Sequence, residues 1–477
     1  MAGLKEKAMR LVERATENNI WRQKRCVNLI PSENTPSLLV KLCEICDPSG
    51  RYAEHRTMKG NEVYFYQGIN FIRDVEEEAR EEICRFFGAE RAELRTISGQ
   101  MANEVLFKGV TKFVNRKSPK GTFRRMRLVM NNDLTKGGHL SSQPMGALFN
   151  YVEIDPETGQ ESVVNFPIQQ DNPYKINVGR MVELIQEHKP ELIVFGKSMF
   201  LYPEPVREAR AAVADFEDPP IIHFDMAHVL GLYGAFQEPL QEGADLVTGS
   251  THKTFFGPQR GVIVGNLPKG SPTARLWNDI KSRAFPGSTS NHHLGTLLAL
   301  LMATYEMNEF KELYQKQVIL NAKAFAKALA DAGLSVEGDP ADGYTRTHQV
   351  IVRVAQHGTG EEVAMRLEES NIVCNYQALP DDESFLQSSG IRLGVQEMTR
   401  FGMKEADFAR LAQLMADVIV QKKEVGEEVS RFRSRFAKMG YCLPAQDAVP
   451  MAAKLFSTII PEEDILAQLT AALNSAK

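Results

Sequence analysis

Between about residues 70 and 266, helical stretches alternate with short and almost continuous apolar runs. The segments 74–89, 101–113 and 181–190 have helical spacing, and the first of them ends at a glycine. Runs typical of strands cover 127–132, 191–196, 221–227, 244–250 and 260–266. Strands this apolar need helices on both faces of their sheet. The region is therefore predicted to be an α/β domain.

The remainder of the chain has a different pattern. A long helical stretch covers 293–333, followed by strand-like runs at 349–355, 371–377 and 391–395 and a helix at 405–423. A chain of 477 residues also exceeds the size at which a single core keeps growing. We therefore predict an N-terminal helical arm (1–50), a large α/β domain (51–308) and a smaller α+β C-terminal domain (309–477).

Composition gives no reason to expect nucleic acid or an anionic membrane as the main partner. The formal net charge is −5, with 43% hydrophobic and 25% charged residues, as in an ordinary soluble protein. One basic run stands out at 115–127, but a single short run favours a solvated surface loop over an RNA site.

The cysteines and the N-terminus bear on metals and location. Six cysteines are spread through the chain, and only Cys43 and Cys46 form a CxxC, without a second CxxC or a nearby histidine pair. We interpret all six as reduced thiols and expect no metal site. The chain shows neither a signal-peptide apolar region nor a membrane-spanning apolar stretch, so a cytoplasmic location is expected.

Three short stretches carry side chains suited to a small ligand. In SGQMANEVL, Ser98 and Gly99 stand where a loop enters a helix, whose free N–H groups attract phosphate. In HFDMAH, Asp225 ends a buried strand, where α/β folds bind ligands, and His228 follows it. In VTGSTHKTFFGP, Lys253 stands just beyond another strand. Taken singly, each has a plain alternative, such as ordinary helix capping by Ser98 or Asp225.

Taken together and in this order, the three stretches fit pyridoxal 5′-phosphate. Its aldehyde needs an amine, that of Lys253, and its ring nitrogen needs a carboxylate, that of Asp225, to stay protonated. The protonated ring is the electron sink that lets a bond to Cα break. The hydroxyls of Ser250 and Thr251 suit phosphate or ring oxygens and leave the lysine room to move.

The lysine stretch resembles the cofactor-lysine motif of the serine hydroxymethyltransferase family, a hydroxyl-rich run followed by THKT and a glycine-proline. Other segments are similar to that family in the same order: NLIPSEN (28–34), RYAEH (51–55), SGQMAN (98–103), KGGHL (136–140), DMAHVLGL (225–232), AFPG (284–287) and GIRLGVQEMT (390–399). The resemblance extends to about residue 440. It implies the aminotransferase-like fold of type I, with a mostly parallel seven-stranded sheet, and a homodimer with shared active sites.

The resemblance also implies roles at the cofactor. Lys253 is expected to form the Schiff base, Asp225 to bind the ring nitrogen, and His228 and Ser198 to lie near the ring hydroxyl. His139 is expected to stack on the ring face, and Ser98, Gly99 and Gln100 to bind the phosphate. His252 is expected to lie beside the lysine and shape its site.

At the substrate, the resemblance implies that Arg392 and Ser32 bind the α-carboxylate, a task that suits an arginine fork. It implies that Tyr52, Glu54 and Tyr66 reach across a dimer interface. Glu54 is then expected to move a proton at the substrate β-hydroxyl or its folate-linked equivalent.

Several of these residues have simpler explanations. His139 also fits an ordinary loop histidine, Arg392 a sheet arginine paired with a carboxylate, and Glu54 a surface charge cluster with its basic neighbours. The ordered set of motifs favours the functional interpretation for each of them, least strongly for Glu54.

The chain departs from the family pattern mainly where folate binds. Phe65 stands where the family has the first tyrosine of Tyr-Tyr-Gly-Gly, and Gln377 where it has a pterin-binding asparagine. The expected glycine-rich stretch reads STSNHH (288–293), and Gln259-Arg260-Gly261 replaces Arg-Gly-Gly. The basic run is interpreted as an insertion, and the tail beyond about residue 445 as an extension. Losing one buried hydrogen-bonding group costs about 1 to 3 kcal/mol, so these changes weigh against folate more than against the cofactor.

The expected function is that of a pyridoxal-phosphate-dependent transferase that breaks or forms the Cα–Cβ bond of a β-hydroxy amino acid through a glycine quinonoid. Serine with tetrahydrofolate is the default pair. The alternatives are a folate-independent threonine aldolase or transaldolase, or a biosynthetic enzyme that decarboxylates an amino-acid conjugate or cleaves its C–S bond. A non-catalytic scaffold is a further alternative, against which the joint presence of Asp225, Lys253 and Arg392 argues.

Overall fold

The structure is a computed structural model that describes residues 3–59, 61–119, 121–268, 270–271 and 273–475, without the side chain of Lys117. The strands are β1 (Val27–Asn28), β2 (His55–Met58), β3 (Asn61–Tyr64), β4 (Arg91–Glu93), β5 (Val129–Asn131), β6 (Val163–Asn165), β7 (Leu192–Gly196), β8 (Ile221–Asp225), β9 (Leu246–Ser250), β10 (Gly261–Gly265), β11 (Ser335–Val336), β12 (Gln349–Arg353), β13 (Ile372–Val373), β14 (Asn375–Gln377) and β15 (Gly390–Gly394).

Helices surround and connect these strands. They are α1 (Leu4–Ile20), α2 (Leu38–Glu44), α3 (Asn70–Phe87), α4 (Gly99–Val114), α5 (Val178–His188), α6 (Val206–Ala212), α7 (Pro239–Glu242), α8 (Leu276–Ala284), α9 (Leu294–Asp331), α10 (Gly360–Glu369), α11 (Gln396–Arg400), α12 (Glu405–Ile419), α13 (Gly426–Ser434), α14 (Ala445–Ile459) and α15 (Glu463–Ser475).

The central sheet has seven strands in the order β4-β10-β9-β8-β7-β5-β6. Five strands, β5, β6, β7, β8 and β9, run parallel to one another, whereas β10 is antiparallel to both of its neighbours, β4 and β9. This confirms the mostly parallel seven-stranded sheet expected from the sequence. The five predicted apolar runs form β5, β7, β8, β9 and β10, whereas β4 and β6 were not predicted. Every residue of β7 and β8 is buried.

Both faces of the central sheet are covered, as the apolar strands require. In β7, Ile193 and Phe195 belong to the core on one face, and Leu192 and Val194 belong to the core on the other. The first face packs against helices that include α3 and α5, and the second against α4 and α8. The alternation follows from the two-residue period of a strand.

The parallel strands bring chemically useful residues to one edge of the sheet. In the pairing register, Gly196 at the end of β7 lies beside Asp225 at the end of β8, and Asp225 lies beside Thr248 near the end of β9. Lys253 follows β9 after two residues, Thr251 and His252. The carboxyl ends of parallel strands form the usual ligand-binding edge of an α/β sheet.

A second sheet of four strands, in the order β11-β12-β15-β14, is antiparallel and lies in the C-terminal part of the chain. Arg392, in the middle of β15, is paired with Ile351 on one side and Asn375 on the other. The N-terminal segment is joined to this part of the molecule, because β1 pairs in parallel with β13.

The 38 residues of α9 form one continuous helix that crosses the predicted boundary between residues 308 and 309. Its buried residues include Leu297 in its first half and Phe325 in its second, both in the main hydrophobic core. The division into 1–50, 51–308 and 309–477 therefore stays a prediction, with one helix shared by the two larger parts.

The C-terminal tail contains two helices that the sequence interpretation left unassigned. Ala448 and Ala452 of α14 pack on Leu39 of α2. Neither α15 nor the N-terminal α1 contains a buried residue in the single chain.

The basic run at 115–127 is held by ion pairs to the rest of the domain. Arg116 pairs with Asp279, and Arg124 and Arg127 pair with Glu191. Lys120 and the side chain of Lys117 lie outside the described residues. These pairs hold three arginines of the run against the domain, and the interpretation of the run as a solvated surface loop stays a prediction.

The cysteines and the apolar helices complete the description. Each of the six cysteines is a free thiol. Among the described residues, neither a cluster of three or more metal-binding side chains nor a helix long and apolar enough to cross a membrane is present.

Candidate active site

Asp225 lies at the centre of a buried hydrogen-bond network. Its Oδ2 atom is 2.5 Å from Nδ1 of His139, and it accepts hydrogen bonds from Asn103 (2.8 Å) and Ser142 (3.2 Å). Its Oδ1 atom accepts from the N–H of Ala227 at 3.0 Å. Burial alone raises the pKa of the carboxyl, but the charge and hydrogen bond of His139 outweigh it and hold the pKa below its usual value.

Lys253 is buried next to His228, with Nζ 3.4 Å from Nε2 of the imidazole. Burial lowers the pKa of Lys253 to about 8, and the charge of Arg392 acts in the same direction while that of Asp225 opposes it. Burial, followed by the charge of Lys253, also lowers the pKa of His228 well below its usual value, so this imidazole is neutral. About a tenth of the amine is thus uncharged at pH 7, far more than for an exposed lysine.

Two further imidazoles, those of His139 and His252, belong to this region. The ring of His139 stands edge-on to that of His228, with centroids 5.2 Å apart. His252 is mostly buried, burial lowers its pKa to about 4, and its Nδ1 atom has no hydrogen-bond partner among the described residues. Because His139 contacts the carboxylate of Asp225 directly, its role on a ring face stays a prediction.

The start of α4 lies against the end of β9. Ser98 is the N-cap of α4, and its side chain accepts a hydrogen bond from the N–H of Met101. A Cβ on Gly99 would overlap the hydroxyl of Ser250, so the two backbones approach closely. The N–H groups of Gly99 and Gln100 have no intrahelical acceptor, as at any helix start. This gives a pair of free donors beside a serine hydroxyl, which is the chemistry that a phosphate needs.

Arg392 extends from β15 of the small sheet toward the segment that follows β7. Its Nη1 atom donates to the carbonyl oxygen of Ser198 at 2.8 Å, and its Nε atom is 3.4 Å from Oδ1 of Asn375. Burial lowers its pKa to about 10, so it remains charged at neutral pH. The arginine is therefore a buried cation without a carboxylate among its described contacts. This argues against the simpler explanation, in which Arg392 pairs with a carboxylate on the sheet.

Ser32 lies in a turn next to the same region. Asn34, two residues later, donates to the backbone carbonyl of Lys253 at 2.8 Å. The turn is thus attached directly to the backbone of the lysine, although 219 residues separate the two in sequence.

Tyr52, Glu54 and Tyr66 belong to one stretch in which the two tyrosine rings face each other. The two tyrosine rings have centroids 5.4 Å apart and are 47% and 41% exposed. Glu54 is half-buried, and its carbonyl oxygen accepts from the N–H of Phe65. None of their described contacts involves Lys253, Asp225 or Arg392.

A buried charge cluster supports the segment that carries these residues. His55 and His292 lie on either side of the carboxylate of Glu76, at 3.2 and 3.3 Å, and Arg80 pairs with the same carboxylate. The buried His55 thus anchors the segment, while the side chains of Tyr52 and Tyr66 are exposed in the single chain.

Sequence patterns alone missed several residues that hold the site together. The Nδ2 atom of Asn103 donates to both Asp225 and Ser141, and its side-chain Oδ1 atom accepts a hydrogen bond from the hydroxyl of Thr248 at 2.5 Å. Asn103 stood within a recognised segment, SGQMAN, so the resemblance could have directed attention to it. Ser142 and Asn375 carried no comparable signal.

Comparison with known proteins decides the family. The sequence profile described as serine hydroxymethyltransferase matches residues 5–415 of this chain. The chain belongs to the serine hydroxymethyltransferase family. The match begins in α1 and ends within α12, so it covers both sheets of the structure.

Individual relatives agree over nearly the whole chain. It is 37% identical over 439 residues to a serine hydroxymethyltransferase of Staphylothermus marinus, covering 90% of this chain and 92% of the relative. It is 35% identical over 469 residues to one from Sulfolobus acidocaldarius, covering 96% and 100%. The crystal structure of L-threonine transaldolase from Pseudomonas fluorescens, in its internal aldimine state, is similar with a TM-score of 0.76 at 25% identity and covers 98% of this chain.

These similarities establish the fold as type I of the pyridoxal-phosphate enzymes and the protein as a transferase that depends on pyridoxal 5′-phosphate. The residues present fit that cofactor. A carboxylate held ionised suits a cationic ring nitrogen, a buried amine with a lowered pKa suits an aldehyde, and the free N–H groups at the start of α4, beside the hydroxyl of Ser250, suit a phosphate. The unpartnered Nδ1 atoms of His228 and His252 are further buried polar groups in the same place.

Departures from the family pattern can now be located. Arg260, which is shifted by one position, is fully buried and donates to the carbonyl oxygens of His292 (2.6 Å) and His293 (2.9 Å). It thereby fixes the stretch that replaces the glycine-rich segment. Gln377 is half-buried at the end of β14, and its amide is 3.4 Å from the carbonyl oxygen of Ala378.

Proposed function

We propose that this hydroxymethyltransferase family member converts serine and glycine into one another, with tetrahydrofolate as the carbon carrier. Lys253, Asp225, Ser98, Gly99 and Ser250 are proposed to hold the cofactor. When bound, pyridoxal 5′-phosphate supplies the electron sink for the electron pair of the broken Cα–Cβ bond. The observation that carries the proposal is the buried amine of Lys253 beside the neutral His228, at the edge where Asp225 is kept ionised.

The protein's own side chains have distinct tasks in this proposal. The guanidinium of Arg392 binds the substrate α-carboxylate, since it is a buried cation with free donor capacity near Ser198. A fixed carboxylate lets the site set which bond to Cα breaks. The amine of Lys253, 3.4 Å from Nε2 of His228, is proposed to hold or return a proton at Cα. Glu54 is proposed to move the proton of the substrate β-hydroxyl.

A second candidate is a transaldolase that uses threonine and needs no folate. Two observations favour it. The structure is similar to an L-threonine transaldolase over its whole length. In addition, Gln377 stands where the family pattern has a pterin-binding asparagine, and Phe65 replaces a phenol. In this reaction threonine releases acetaldehyde and leaves glycine, which then adds to a second aldehyde to give a new β-hydroxy amino acid.

One experiment separates the two candidates. The purified holoenzyme is incubated with serine, with and without tetrahydrofolate, and with threonine plus an aromatic aldehyde, and products are measured by mass spectrometry. Glycine formed from serine only when tetrahydrofolate is present supports hydroxymethyl transfer. A new β-hydroxy amino acid and acetaldehyde, with serine unused, supports the transaldolase. Lys253→Ala is the matched control, because it removes the amine and must abolish either reaction.

We also propose that the active unit is a homodimer in which Tyr52, Glu54 and Tyr66 serve the site of the partner subunit. The exposure of Tyr52 and Tyr66 in the single chain supports this, as does the fact that none of the described contacts of the three residues involves Lys253. For the location, we propose the cytoplasm, which the free cysteines support because disulfides are rare there. Cell fractionation tests the location.

A further inference from the structure

The turn that contains Ser32 is held by a single buried side chain on both sides of the serine. Gln396, the first residue of α11, is fully buried. Its Nε2 atom donates to the carbonyl oxygen of Ile30 at 2.9 Å and to that of Glu33 at 2.7 Å. One amide group therefore fixes the backbone immediately before and after Pro31 and Ser32.

The strand that carries Arg392 touches the same turn. The N–H of Gly394 donates to the carbonyl oxygen of Leu29 at 2.7 Å. A Cβ on Gly394 would lie 2.5 Å from the Cα of Pro31, so only glycine allows this approach. Gly394 and Gln396 stand two and four residues after Arg392. Both join the Ser32 turn to the end of β15.

Gln396 occupies this position at an energetic cost. Its Oε1 atom is buried and has no hydrogen-bond partner among the described residues. An unsatisfied buried acceptor is unfavourable, and an apolar side chain of similar length would avoid it. The two donated hydrogen bonds are what the amide provides in exchange.

The opposite side of the turn is attached to the cofactor lysine. Asn34 donates to the carbonyl oxygen of Lys253, and His348 lies with Nε2 3.1 Å from the carbonyl oxygen of Pro31. The turn thus bridges the backbone at Lys253 and the strand of Arg392, and Gln396 is the contact that sets its curvature around Ser32.

We propose that Gln396 is a positioning residue for the substrate carboxylate. It keeps the Ser32 turn at a fixed distance from β15, so that Ser32 and Arg392 bind one carboxylate together. This inference rests on the proposed function, because Ser32 and Arg392 are the proposed carboxylate ligands. Without the two hydrogen bonds the turn relaxes, and each substrate molecule must order it on binding, which lowers affinity without changing the bond-breaking step.

The test compares Gln396→Met with a matched variant in the holoenzyme. Asn115→Leu removes a similar amide, whose Nδ2 atom donates to the carbonyl oxygens of Thr111 and Arg124, both at 2.7 Å, at the far end of α4. We expect Gln396→Met to raise the KM for the amino acid about tenfold, with kcat changed less than about threefold, as loss of ground-state binding predicts. Asn115→Leu is expected to leave KM unchanged.

Hydrogen exchange gives a readout that does not depend on activity. Amides of residues 29–35 are expected to exchange faster in Gln396→Met than in the wild type, while those of β8 do not change. If Gln396→Met does not fold, Gln396→Leu, which also removes both donated hydrogen bonds without burying a charge, is measured in the same way. An unchanged KM, or a fall in kcat alone, overturns the inference.

The variant Arg392→Lys separates this inference from the proposed function. A large rise in KM for Arg392→Lys together with no effect of Gln396→Met overturns the positioning role alone. If Arg392→Lys leaves KM unchanged, the proposed carboxylate site is wrong, whatever Gln396 does.

Discussion

At the scale of single residues, the chemistry of Lys253 depends on where its amine is placed. An exposed lysine is almost fully protonated at neutral pH and is a poor nucleophile. Burial lowers the pKa of Lys253 to about 8, and the nearby neutral His228 can accept a hydrogen bond from it without adding charge. The same burial that prepares the amine also destabilises the folded protein while the lysine is charged.

This cost predicts a pH-dependent stability for the cofactor-free protein. Below about pH 8 Lys253 is protonated in both states, so the penalty is complete, and above its ordinary pKa of 10.5 it is neutral in both. Between these values the unfolded chain binds more protons, so the free energy of unfolding rises with pH, by about 3 kcal/mol for one such group. Urea unfolding of the wild type and of Lys253→Met from pH 7 to 10.5 measures it.

The difference in unfolding free energy between the wild type and Lys253→Met separates the contribution of Lys253 from those of other groups that titrate in this pH range. The advantage of Lys253→Met over the wild type is expected to shrink as the pH rises. Lys5→Met, on the exposed α1, serves as the control and should show no trend. A constant difference between wild type and Lys253→Met would show that the amine keeps its ordinary pKa.

The residues of the site differ in how far the sequence could reveal them. Lys253, Asp225 and Arg392 stand in segments whose local pattern or family likeness identified them. Asn103 contacts Asp225 across 122 residues, and Asn375 meets Arg392 only because β14 pairs with β15. Such partners are chosen by tertiary pairing, to which the local sequence gives no guide.

At the scale of secondary-structure elements, the junction between α4 and β9 determines the shape of the proposed phosphate site. A helix start attracts an anion only where backbone N–H groups are reachable. Gly99 stands at this start, and because it has no side chain its Cα lies against the hydroxyl of Ser250, where a methyl group would overlap. The proposed site therefore depends on two elements that approach more closely than side chains would allow.

Gly99→Ala is predicted to weaken cofactor binding. The added methyl overlaps Ser250 and separates the start of α4 from the end of β9, and we expect an affinity loss of at least about tenfold. Fluorescence titration of the cofactor-free protein with pyridoxal 5′-phosphate measures it. Adding Ser250→Gly removes the overlap and should restore part of the affinity.

Gly109→Ala is the matched control within the same helix. Its methyl would lie 3.0 Å from Cγ1 of Ile280, so it crowds the packing of α4 on α8 without approaching the helix start. It should reduce stability and leave cofactor affinity unchanged. Equal losses of affinity in the two variants would mean that Gly99 matters only for folding.

Elements with a strong periodic pattern were predictable and those without one were not. The strands β7 to β10 and the helices α3, α9 and α12 lie where the sequence placed them, because apolar runs or helical spacing extend over their full length. The hairpin β2–β3 was not foreseen, since almost all of its residues are exposed and no alternation marks it. Helix α14 was also missed, and only Ala448 and Ala452 face the core.

At the scale of the whole molecule, the single chain leaves parts of the proposed machinery apart. Tyr52 and Tyr66 line a cleft of about 550 Å³ together with Gly68, Phe71 and Leu294. Their described contacts do not include Lys253. In the proposed homodimer they serve the site of the other copy, in the isologous arrangement that a twofold dimer gives.

Subunit mixing tests this arrangement directly. Lys253→Ala and Glu54→Gln are each expected to be almost inactive as homodimers, because every site lacks one group. In a mixed dimer with shared sites, one site combines the intact Lys253 of one subunit with the intact Glu54 of the other. After unfolding and refolding an equal mixture, about a quarter of the wild-type activity should return, since half of the dimers are mixed and each has one complete site.

The double variant Lys253→Ala with Glu54→Gln, mixed with the wild type, controls for refolding losses. In its mixed dimers, the wild-type subunit carries both the intact Lys253 and the intact Glu54. If sites are shared between subunits, each site then lacks one of the two side chains and neither site is active. If Lys253 and Glu54 instead served the same subunit, the pattern would reverse: the two single variants would give no recovery, and the mixed dimers of the double variant would keep one active site each. The two mixtures contain the same two substitutions, which lie on different chains in one and on the same chain in the other. The comparison therefore reports whether Glu54 serves the Lys253 of its own chain or that of its partner.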